Sequence, residues 1–198
     1  MSLLVKICGL RDADDVAAAV DAGADAVGFV FWEGSVRNIT PGAARAACAQ
    51  LPADRKRVAV MLHPSNDDWQ KVLRGFEPDV LQTDLDDFDD LDVPYNVERW
   101  PVVREGKLPA TMPATFLYEG AKSGAGETVD WSKAREIASG ANMILAGGLS
   151  VENIAGAIRN VRPYGVDVSS GVESAPGRKD AQKINDFVSA ARAAEKNL

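Results

Sequence analysis

Residues 3–31 read LLVKICGLRDADDVAAAVDAGADAVGFVF, and this stretch indicates how the chain folds. Two short apolar, β-branched runs at 3–8 and 26–31 flank a segment of helical composition that begins at Asp12, a residue type that caps helices. A strand, a helix and another strand in that order are typical of a βαβ unit, whose two strands run parallel. The rest of the sequence continues the alternation, so we predict a parallel sheet.

Six further apolar runs are predicted strands. They lie at 57–62, 80–83, 98–103, 115–119, 142–146 and 166–169, and Pro101 weakens only the 98–103 strand. Eight strands alternating with helices close a (β/α)8 barrel, whereas doubly wound open sheets commonly have about five or six strands. We therefore predict a (β/α)8 (TIM) barrel that spans residues 1–198 as a single domain.

The predicted helices begin at polar residues whose side chains can accept the unpaired N–H groups of a first helical turn. These residues are Asp12, Thr40, Ser65, Asp130, Ser150 and Asp180. The segments after the fourth and fifth strands approach the shortest length of a whole crossover, about 10 to 12 residues. We therefore expect shortened fourth and fifth βα units, with short or irregular helices.

The composition is that of an acidic globular protein. The 198 residues include 22 Lys and Arg against 29 Asp and Glu, which gives a net charge of -7, and 46% are hydrophobic. A broad negative field repels phosphate backbones and anionic lipid surfaces. We therefore expect a small-molecule substrate, with neither nucleic acid nor a membrane as a partner, and we expect a monomer.

The cellular location follows from two features of the sequence. No apolar run reaches the roughly 18 residues of a membrane span, and the first residues lead directly into a strand rather than a signal peptide. Cys8 and Cys48 are too few for a disulfide framework in a chain of this length. We expect a cytoplasmic protein with both thiols reduced.

Functional groups of barrel enzymes lie at the carboxyl ends of the strands. Cys8 ends the first strand, and the alternation of side chains places Lys6 on the same side, where its charge favours the thiolate. Taken alone, a cysteine at such a position is more often a small buried packing residue. Glu119 ends the sixth strand, where partial burial raises the pKa of a carboxyl group and suits it to general acid catalysis, although a solvated carboxylate is about equally frequent there.

Glycine- and serine-rich turns follow the seventh and eighth strands. Bare backbone N–H groups in such turns bind phosphate in many barrels, and two turns together favour this interpretation over plain turns. The candidate phosphate-binding residues are Gly147, Gly148, Ser169, Ser170 and Gly171.

The remaining candidates are single residues in loops. Arg37 follows the second strand, where its guanidinium can hold a carboxylate by two hydrogen bonds, although a lone loop arginine is more often solvated. His63 ends the third strand without nearby cysteines, which indicates a rim residue rather than a metal ligand. The acidic run 84–92 lacks the glycine and glutamate that complete a calcium loop, so we interpret it as a solvated segment and predict no metal site.

Six motifs appear in a fixed order along nearly the whole chain. They are KICG at 6–9, AGADAVGFVF at 22–31, SVR at 35–37, LAGGL at 145–149, DVSSGVE at 167–173 and PGRKD at 176–180. The ordered set resembles the phosphoribosylanthranilate isomerase family of tryptophan biosynthesis. The resemblance implies a (β/α)8 barrel that carries out the Amadori rearrangement of N-(5-phosphoribosyl)anthranilate to 1-(2-carboxyphenylamino)-1-deoxy-D-ribulose 5-phosphate, without metal or cofactor.

The resemblance also implies roles for individual residues. Cys8 matches the general base of the family, and Glu119 stands at the position of its general acid, an aspartate one methylene shorter. Arg37 resembles the arginine near the anthranilate carboxylate, and Asp167 an aspartate that contacts sugar hydroxyls. Gly147, Gly148, Ser170 and Gly171 resemble its phosphate contacts. Lys6 and Gln82 complete the expected substrate-binding residues.

The sequence departs from the family pattern in two further places. The Gln-Leu-His-Gly motif after the fourth strand reads Gln82-Thr83-Asp84-Leu85, and the Gly-Gly-Thr-Gly loop reads Ser123-Gly124-Ala125-Gly126. We expect a compensating arrangement around Glu119. Two alternatives remain open: a divergent barrel isomerase acting on another phosphorylated aminosugar, and a non-catalytic barrel that binds phosphosugars.

Overall fold

The computed structural model describes residues 2–121 and 128–198, and its centre is a closed barrel of eight parallel strands. The strands are β1 (Leu4–Cys8), β2 (Ala26–Val30), β3 (Lys56–Val60), β4 (Val80–Asp84), β5 (Glu98–Arg104), β6 (Thr115–Glu119), β7 (Asn142–Leu145) and β8 (Gly165–Val168). Each strand pairs with the next along the chain, and β1 pairs with β8 to close the barrel. The predicted fold and all eight predicted strands are confirmed.

The interior of the barrel changes from apolar to polar towards the carboxyl ends of the strands. Near the amino ends, Leu4, Val58 and Val80 belong to one buried cluster inside the barrel. Two residues further along their strands, Lys6 and Gln82 are buried as well. Because side chains of one face recur every second residue, these polar groups lie directly above the apolar layer. They form the floor of the mouth, the open end of the barrel at the carboxyl ends of the strands.

Six α-helices surround the barrel in the described residues. They are α1 (Ala13–Ala22), α2 (Pro41–Ala47), α3 (Asn66–Phe76), α4 (Trp131–Ala138), α5 (Ile154–Val161) and α6 (Ala181–Glu195). None of the helices in these residues is long and apolar enough to cross a bilayer. The outward side chains of the strands pack against them, as the contact of Phe29 with Phe76 illustrates, with ring centroids 5.2 Å apart.

Five of the six predicted helix caps are confirmed. Asp12, Thr40, Ser65, Asp130 and Asp180 each accept a hydrogen bond from a backbone N–H of the first turn. The prediction for Ser150 is wrong, because residues 151–153 form a turn and α5 begins after Asn153. The Asn153 side chain accepts from the Ser150 N–H at 2.9 Å and donates to the Gly148 carbonyl at 2.8 Å, which ties the preceding loop to the start of α5.

The fourth and fifth βα units are shortened, as expected. Only the 3-10 helix Leu85–Asp89 follows β4, and residues 105–114 after β5 form turns without a helix. Pro109 and Pro113 contribute no backbone N–H to a helix there. Neither β4 nor β5 is therefore followed directly by an α-helix.

After β8 the chain adds a 3-10 helix and a small hairpin before α6. The 3-10 helix spans Ser170–Val172, and the hairpin consists of β9 (Glu173–Ala175) and β10 (Arg178–Lys179). Both lie at the carboxyl end of β8, where functional groups of barrels are found.

Candidate active site

Lys6 and Asp167 form a buried ion pair in the floor of the mouth. The Lys6 Nζ lies 2.7 Å from Oδ1 of Asp167, and the register of β1 and β8 places the two residues opposite each other. Burial lowers the pKa of Lys6, but the Asp167 carboxylate and Cys8 outweigh it and raise the pKa above its ordinary value. The ammonium group therefore stays charged inside the barrel.

Cys8 lies beside this lysine because β2 carries a glycine at the facing position. A Cβ atom on Gly28 would lie 3.1 Å from the Cys8 Sγ and 3.2 Å from the Lys6 Nζ, so both groups meet over the bare backbone. Burial raises the pKa of Cys8, while Lys6 and Lys179 lower it and Asp167 raises it further. Burial prevails, and Lys6 is the group that most stabilises the thiolate.

Glu119 lies at the end of β6, on the inner side of the barrel opposite Arg104. Burial raises the pKa of Glu119, Arg104 lowers it, and Asp167 and Asp84 raise it. This direction agrees with the expectation for a partly buried carboxyl group at this position. A carboxyl group with a raised pKa is better suited to donate a proton. Because Asp167 acts on both Glu119 and Cys8, the two groups lie within electrostatic range of one carboxylate.

Arg37 is held by Glu173 at the edge of the mouth. The Arg37 Nε and Nη2 donate to the two Glu173 carboxylate oxygens at 2.7 Å and 2.8 Å. Glu173 also accepts from the Lys179 Nζ at 2.9 Å and from the Gly177 N–H at 3.1 Å. These hydrogen bonds outweigh burial and lower the pKa of Glu173 to about 2. Of the five N–H donors of a guanidinium group, three remain for another acceptor.

From the sequence, Glu173 is named only as the last residue of the 167–173 motif, and a role is assigned neither to it nor to Arg104. Their partners lie 136 and 15 residues away along the chain. The sequence signal for Glu173 is that it is the one charged residue of the motif Ser-Ser-Gly-Val-Glu, whose other residues are small and uncharged. A carboxylate in such surroundings needs a cationic partner.

The loops after β7 and β8 touch each other. A Cβ atom on Gly171 would lie 2.0 Å from the Leu149 carbonyl oxygen, so only glycine allows this approach. Among residues 2–121 and 128–198, no acceptor takes the backbone N–H groups of Gly148, Leu149, Ser170 and Gly171. Ser169 contributes its carbonyl oxygen, which accepts from the Lys179 Nζ at 2.9 Å. The two loops thus form a cluster of unpaired donors, together with the neighbouring Gly147.

Two further candidates occupy opposite environments. Gln82 is buried on the inner face of β4, and its Oε1 has no hydrogen-bond partner among the described residues. His63 is two-thirds exposed, with its Nδ1 2.9 Å from an Asp87 oxygen, which agrees with the expected rim position. The Ser123-Gly124-Ala125-Gly126 loop lies outside the described residues.

A closed eight-stranded barrel with a thiol, a carboxyl group and unpaired N–H donors gathered at the carboxyl ends of its strands defines a (β/α)8-barrel enzyme of the acid–base class. Comparison with known proteins gives the family. The model of the family described as N-(5'phosphoribosyl)anthranilate (PRA) isomerase matches residues 5–190. The chain belongs to the phosphoribosylanthranilate isomerase family, and the resemblance noted in the sequence is confirmed.

Individual relatives agree with the family assignment over the full length. N-(5'-phosphoribosyl)anthranilate isomerase of Listeria monocytogenes is 37% identical over 211 residues, which cover 98% of this chain and 100% of the relative. The crystal structure of the Thermus thermophilus enzyme superposes with a TM-score of 0.83 at 29% identity, over 96% of this chain and 99% of that one. The crystal structure of a phosphoribosylanthranilate isomerase in complex with reduced 1-(o-carboxyphenylamino)-1-deoxyribulose 5-phosphate superposes with a TM-score of 0.81 at 29% identity. The match covers 97% of this chain and 100% of that one.

Proposed function

We propose that this chain catalyses the Amadori rearrangement of N-(5-phosphoribosyl)anthranilate to 1-(2-carboxyphenylamino)-1-deoxy-D-ribulose 5-phosphate in L-tryptophan biosynthesis. It is an aldose–ketose isomerase of the family that its full length matches. The observation that carries the residue assignment is the buried Cys8 beside Lys6, in electrostatic range of the same carboxylate as Glu119. The relationship over residues 5–190 favours this reaction over the two alternatives left open by the sequence.

The phosphate group of the substrate binds to the loops after β7 and β8. The residues are Gly147, Gly148, Ser169, Ser170 and Gly171. The support for Gly148, Ser170 and Gly171 is the cluster of backbone N–H groups without acceptors in the described part of the chain, and Gly147 and Ser169 adjoin this cluster. Because N–H dipoles attract an anion without a cationic side chain, this site tolerates the net charge of -7.

Glu119 opens the sugar ring. It donates its proton to the furanose ring oxygen, and the bond between this oxygen and C1 breaks while the nitrogen lone pair forms the C1–N double bond. The ring oxygen becomes the C4 hydroxyl group, and the product of the step is a protonated Schiff base. The raised pKa of Glu119 supports this role, since the carboxyl group must carry a proton when the substrate arrives.

Cys8 acts next, as the base. Burial raises the pKa of the Cys8 thiol and so makes its thiolate form a stronger base, and Lys6 stabilises that form. The thiolate removes the proton from C2, and the C2–H electrons form the C1–C2 double bond of an enolamine while the Schiff-base nitrogen recovers its lone pair. Tautomerisation moves a proton from the C2 hydroxyl to C1 and leaves a ketone. The product is an isomer of the substrate, so the cycle closes when Cys8 releases one proton and Glu119 regains one.

The remaining candidates orient the substrate. The free N–H donors of Arg37 bind the anthranilate carboxylate, and Glu173 fixes the direction in which they point. Asp167 accepts hydrogen bonds from sugar hydroxyls while it keeps Lys6 charged. The unpartnered Oε1 of Gln82 is a second acceptor for such a hydroxyl.

The replacement Cys8→Ala tests the proposal. We expect turnover to fall by roughly a hundredfold to ten-thousandfold, because the base is lost, while circular dichroism and melting temperature stay close to wild type. The measurement follows the decay of fluorescence of freshly generated phosphoribosylanthranilate. The matched control is Cys48→Ala, a half-buried thiol at the end of α2 that should leave turnover unchanged. Undiminished activity of Cys8→Ala would remove Cys8 as the base.

A further inference from the structure

The guanidinium group of Arg104 lies between two carboxyl groups at the mouth of the barrel. Its Nη2 donates to Oδ1 of Asp84 at 2.5 Å, and its Nη1 donates to Oε1 of Glu119. The three side chains are 17%, 18% and 16% exposed. One cationic group therefore bridges β4, β5 and β6 in a site largely shielded from water.

The register of the strands produces this arrangement. Arg104 stands opposite Glu119 across β5 and β6, and Asp84 stands opposite Val102, one inward-facing step before Arg104. Inward side chains at these positions converge above Leu117, which belongs to the apolar interior. Since a guanidinium is planar and donates along fixed directions, holding two carboxyl groups at once fixes its orientation.

A second set of contacts holds Asp84 from the outer side. Its Oδ2 lies 3.4 Å from the Nε2 of His63, and the His63 Nδ1 lies 2.9 Å from Oδ1 of Asp87. The other oxygen of Asp87 accepts from the Thr83 hydroxyl at 2.5 Å. The chain of contacts from Thr83 to Glu119 is therefore continuous.

We propose that Arg104 is the positioning residue of the general acid: it holds the longer Glu119 carboxyl group in one orientation, and Asp84 offsets its charge. The inference rests on the proposed role of Glu119. It explains how this chain uses a glutamate where the family pattern has an aspartate, because Arg104 orients the extra methylene. It also accounts for the acid at position 84, which the family pattern does not contain.

The charges around Glu119 act in opposite directions. Arg104 faces it from β5, Asp84 from β4 and Asp167 from β8, while His63, Asp87 and Lys107 surround the outer side of Arg104 and Asp84. Arg104 lowers the pKa of Glu119, and both aspartates raise it. Removing Arg104 and removing the charge of Asp84 should therefore shift the titration of Glu119 in opposite directions.

The experiment compares Arg104→Met and Asp84→Asn with wild type in the pH dependence of kcat/KM. The limb of the pH profile that belongs to Glu119 is the one that moves in Glu119→Asp, a variant that keeps a carboxyl group. We expect Arg104→Met to lower kcat on the order of tenfold to a hundredfold and to move this limb to higher pH. Asp84→Asn should move the limb to lower pH. The matched control is Arg99→Met, an exposed arginine on the same strand, which should change neither quantity.

A double-mutant cycle with Glu119→Asp adds a readout that a purely structural role would not move. The shorter carboxyl group no longer reaches Arg104, so the loss in Arg104→Met combined with Glu119→Asp should be smaller than the product of the two single losses. Arg104→Lys, which keeps the charge, should restore the position of the limb and part of the turnover. If Arg104→Met does not fold, Arg104→Gln, which also removes the charge, takes its place in measuring the shift to higher pH.

The outcomes separate the inference from the function on which it rests. Three results would show that Arg104 does not position the acid. One is an inactive Glu119→Gln together with an Arg104→Met variant that matches wild type, and another is a shift of the same sign in Arg104→Met and Asp84→Asn. The third is a double variant whose loss of turnover equals the product of the two single losses. If Glu119→Gln itself keeps wild-type turnover, Glu119 is not the acid, and the proposed mechanism fails together with the inference.

Discussion

A single missing side chain brings the proposed base and its cation together. At Gly28, a Cβ atom would contact the Cys8 Sγ and the Cε and Nζ of Lys6, at 3.1, 3.1 and 3.2 Å. A glycine inside a strand costs conformational entropy and packing, and its usual explanation is the close approach of another group. Here that group is the pair of side chains on which proton removal depends.

The replacement Gly28→Ala tests this explanation at the level of one methyl group. Because Lys6 is fixed by Asp167, the added methyl displaces the less constrained Cys8 thiol by a few tenths of an ångström. We expect turnover to fall on the order of tenfold while the fold is kept. The control is Gly42→Ala on α2, where a Cβ atom meets nothing within 4 Å and activity should not change. Wild-type kinetics for Gly28→Ala would contradict the explanation.

The sequence predicts individual residues of the site better than their pairings. Cys8, Lys6 and Glu119 could be selected because strand ends and side-chain alternation are local properties. The partner of Lys6 lies 161 residues away, and that of Arg37 lies 136 residues away. Such pairs depend on the register of strands distant in the chain, which local patterns do not determine.

At the level of elements, the loops after β7 and β8 act as one unit. The Leu149 carbonyl oxygen occupies the space that a side chain at position 171 would need, so the two backbones are in contact. The Asn153 side chain bonds to both ends of the first loop, at Gly148 and Ser150. The unpaired N–H groups of both loops are therefore held in a fixed relative position.

The replacement Gly171→Ala separates the two loops. The new Cβ meets backbone rather than a flexible side chain, at 2.0 Å, so one loop must move and its N–H groups lose their alignment. Since a hydrogen bond to a charged group contributes about 1.5 to 3 kcal/mol, we expect KM to rise on the order of tenfold with a smaller effect on kcat. Gly140→Ala, in open space after α4, is the control. An unchanged KM would argue against phosphate binding at these loops.

The secondary structure could be predicted where its signals are local. Strand cores are apolar and β-branched, and five helix starts carry an Asp, Ser or Thr that accepts backbone N–H groups. The start of α5 differs from the prediction because Ser150 is held by Asn153 inside the loop, and a serine in a loop and one at a helix start share the same local sequence. The short fourth and fifth units were predictable from the lengths of the segments that follow the fourth and fifth strands.

At the level of the whole molecule, the cationic side chains in the floor and at the edge of the mouth have carboxyl partners. In residues 2–121 and 128–198, Lys6 pairs with Asp167, Arg104 with Asp84 and Glu119, and both Arg37 and Lys179 with Glu173. The net charge of -7 is therefore not relieved by these four side chains as free cations. Binding of a phosphorylated substrate then depends on backbone dipoles more than on net local charge.

The distribution of exposed apolar side chains favours a monomer. The large ones in the described residues are Trp32 and Val36 in the loop after β2, Tyr95 and Leu108 in two other loops, and Leu198 at the chain end. Exposed residues scattered in this way are normal for monomers. We expect size-exclusion chromatography with light scattering to give the mass of one chain, 21.1 kDa, over a broad concentration range. A mass of twice this value would contradict the expectation.

The buried ion pair between β1 and β8 has a consequence for how the barrel is made. During synthesis Lys6 precedes its partner Asp167 by 161 residues. Burying an unpaired ammonium group costs several kcal/mol. A nascent chain that lacks β8 therefore cannot bury Lys6 in its native environment, and the polar floor of the barrel forms only when the last strand arrives. The residue that supports the proposed base also makes barrel closure a late, cooperative event.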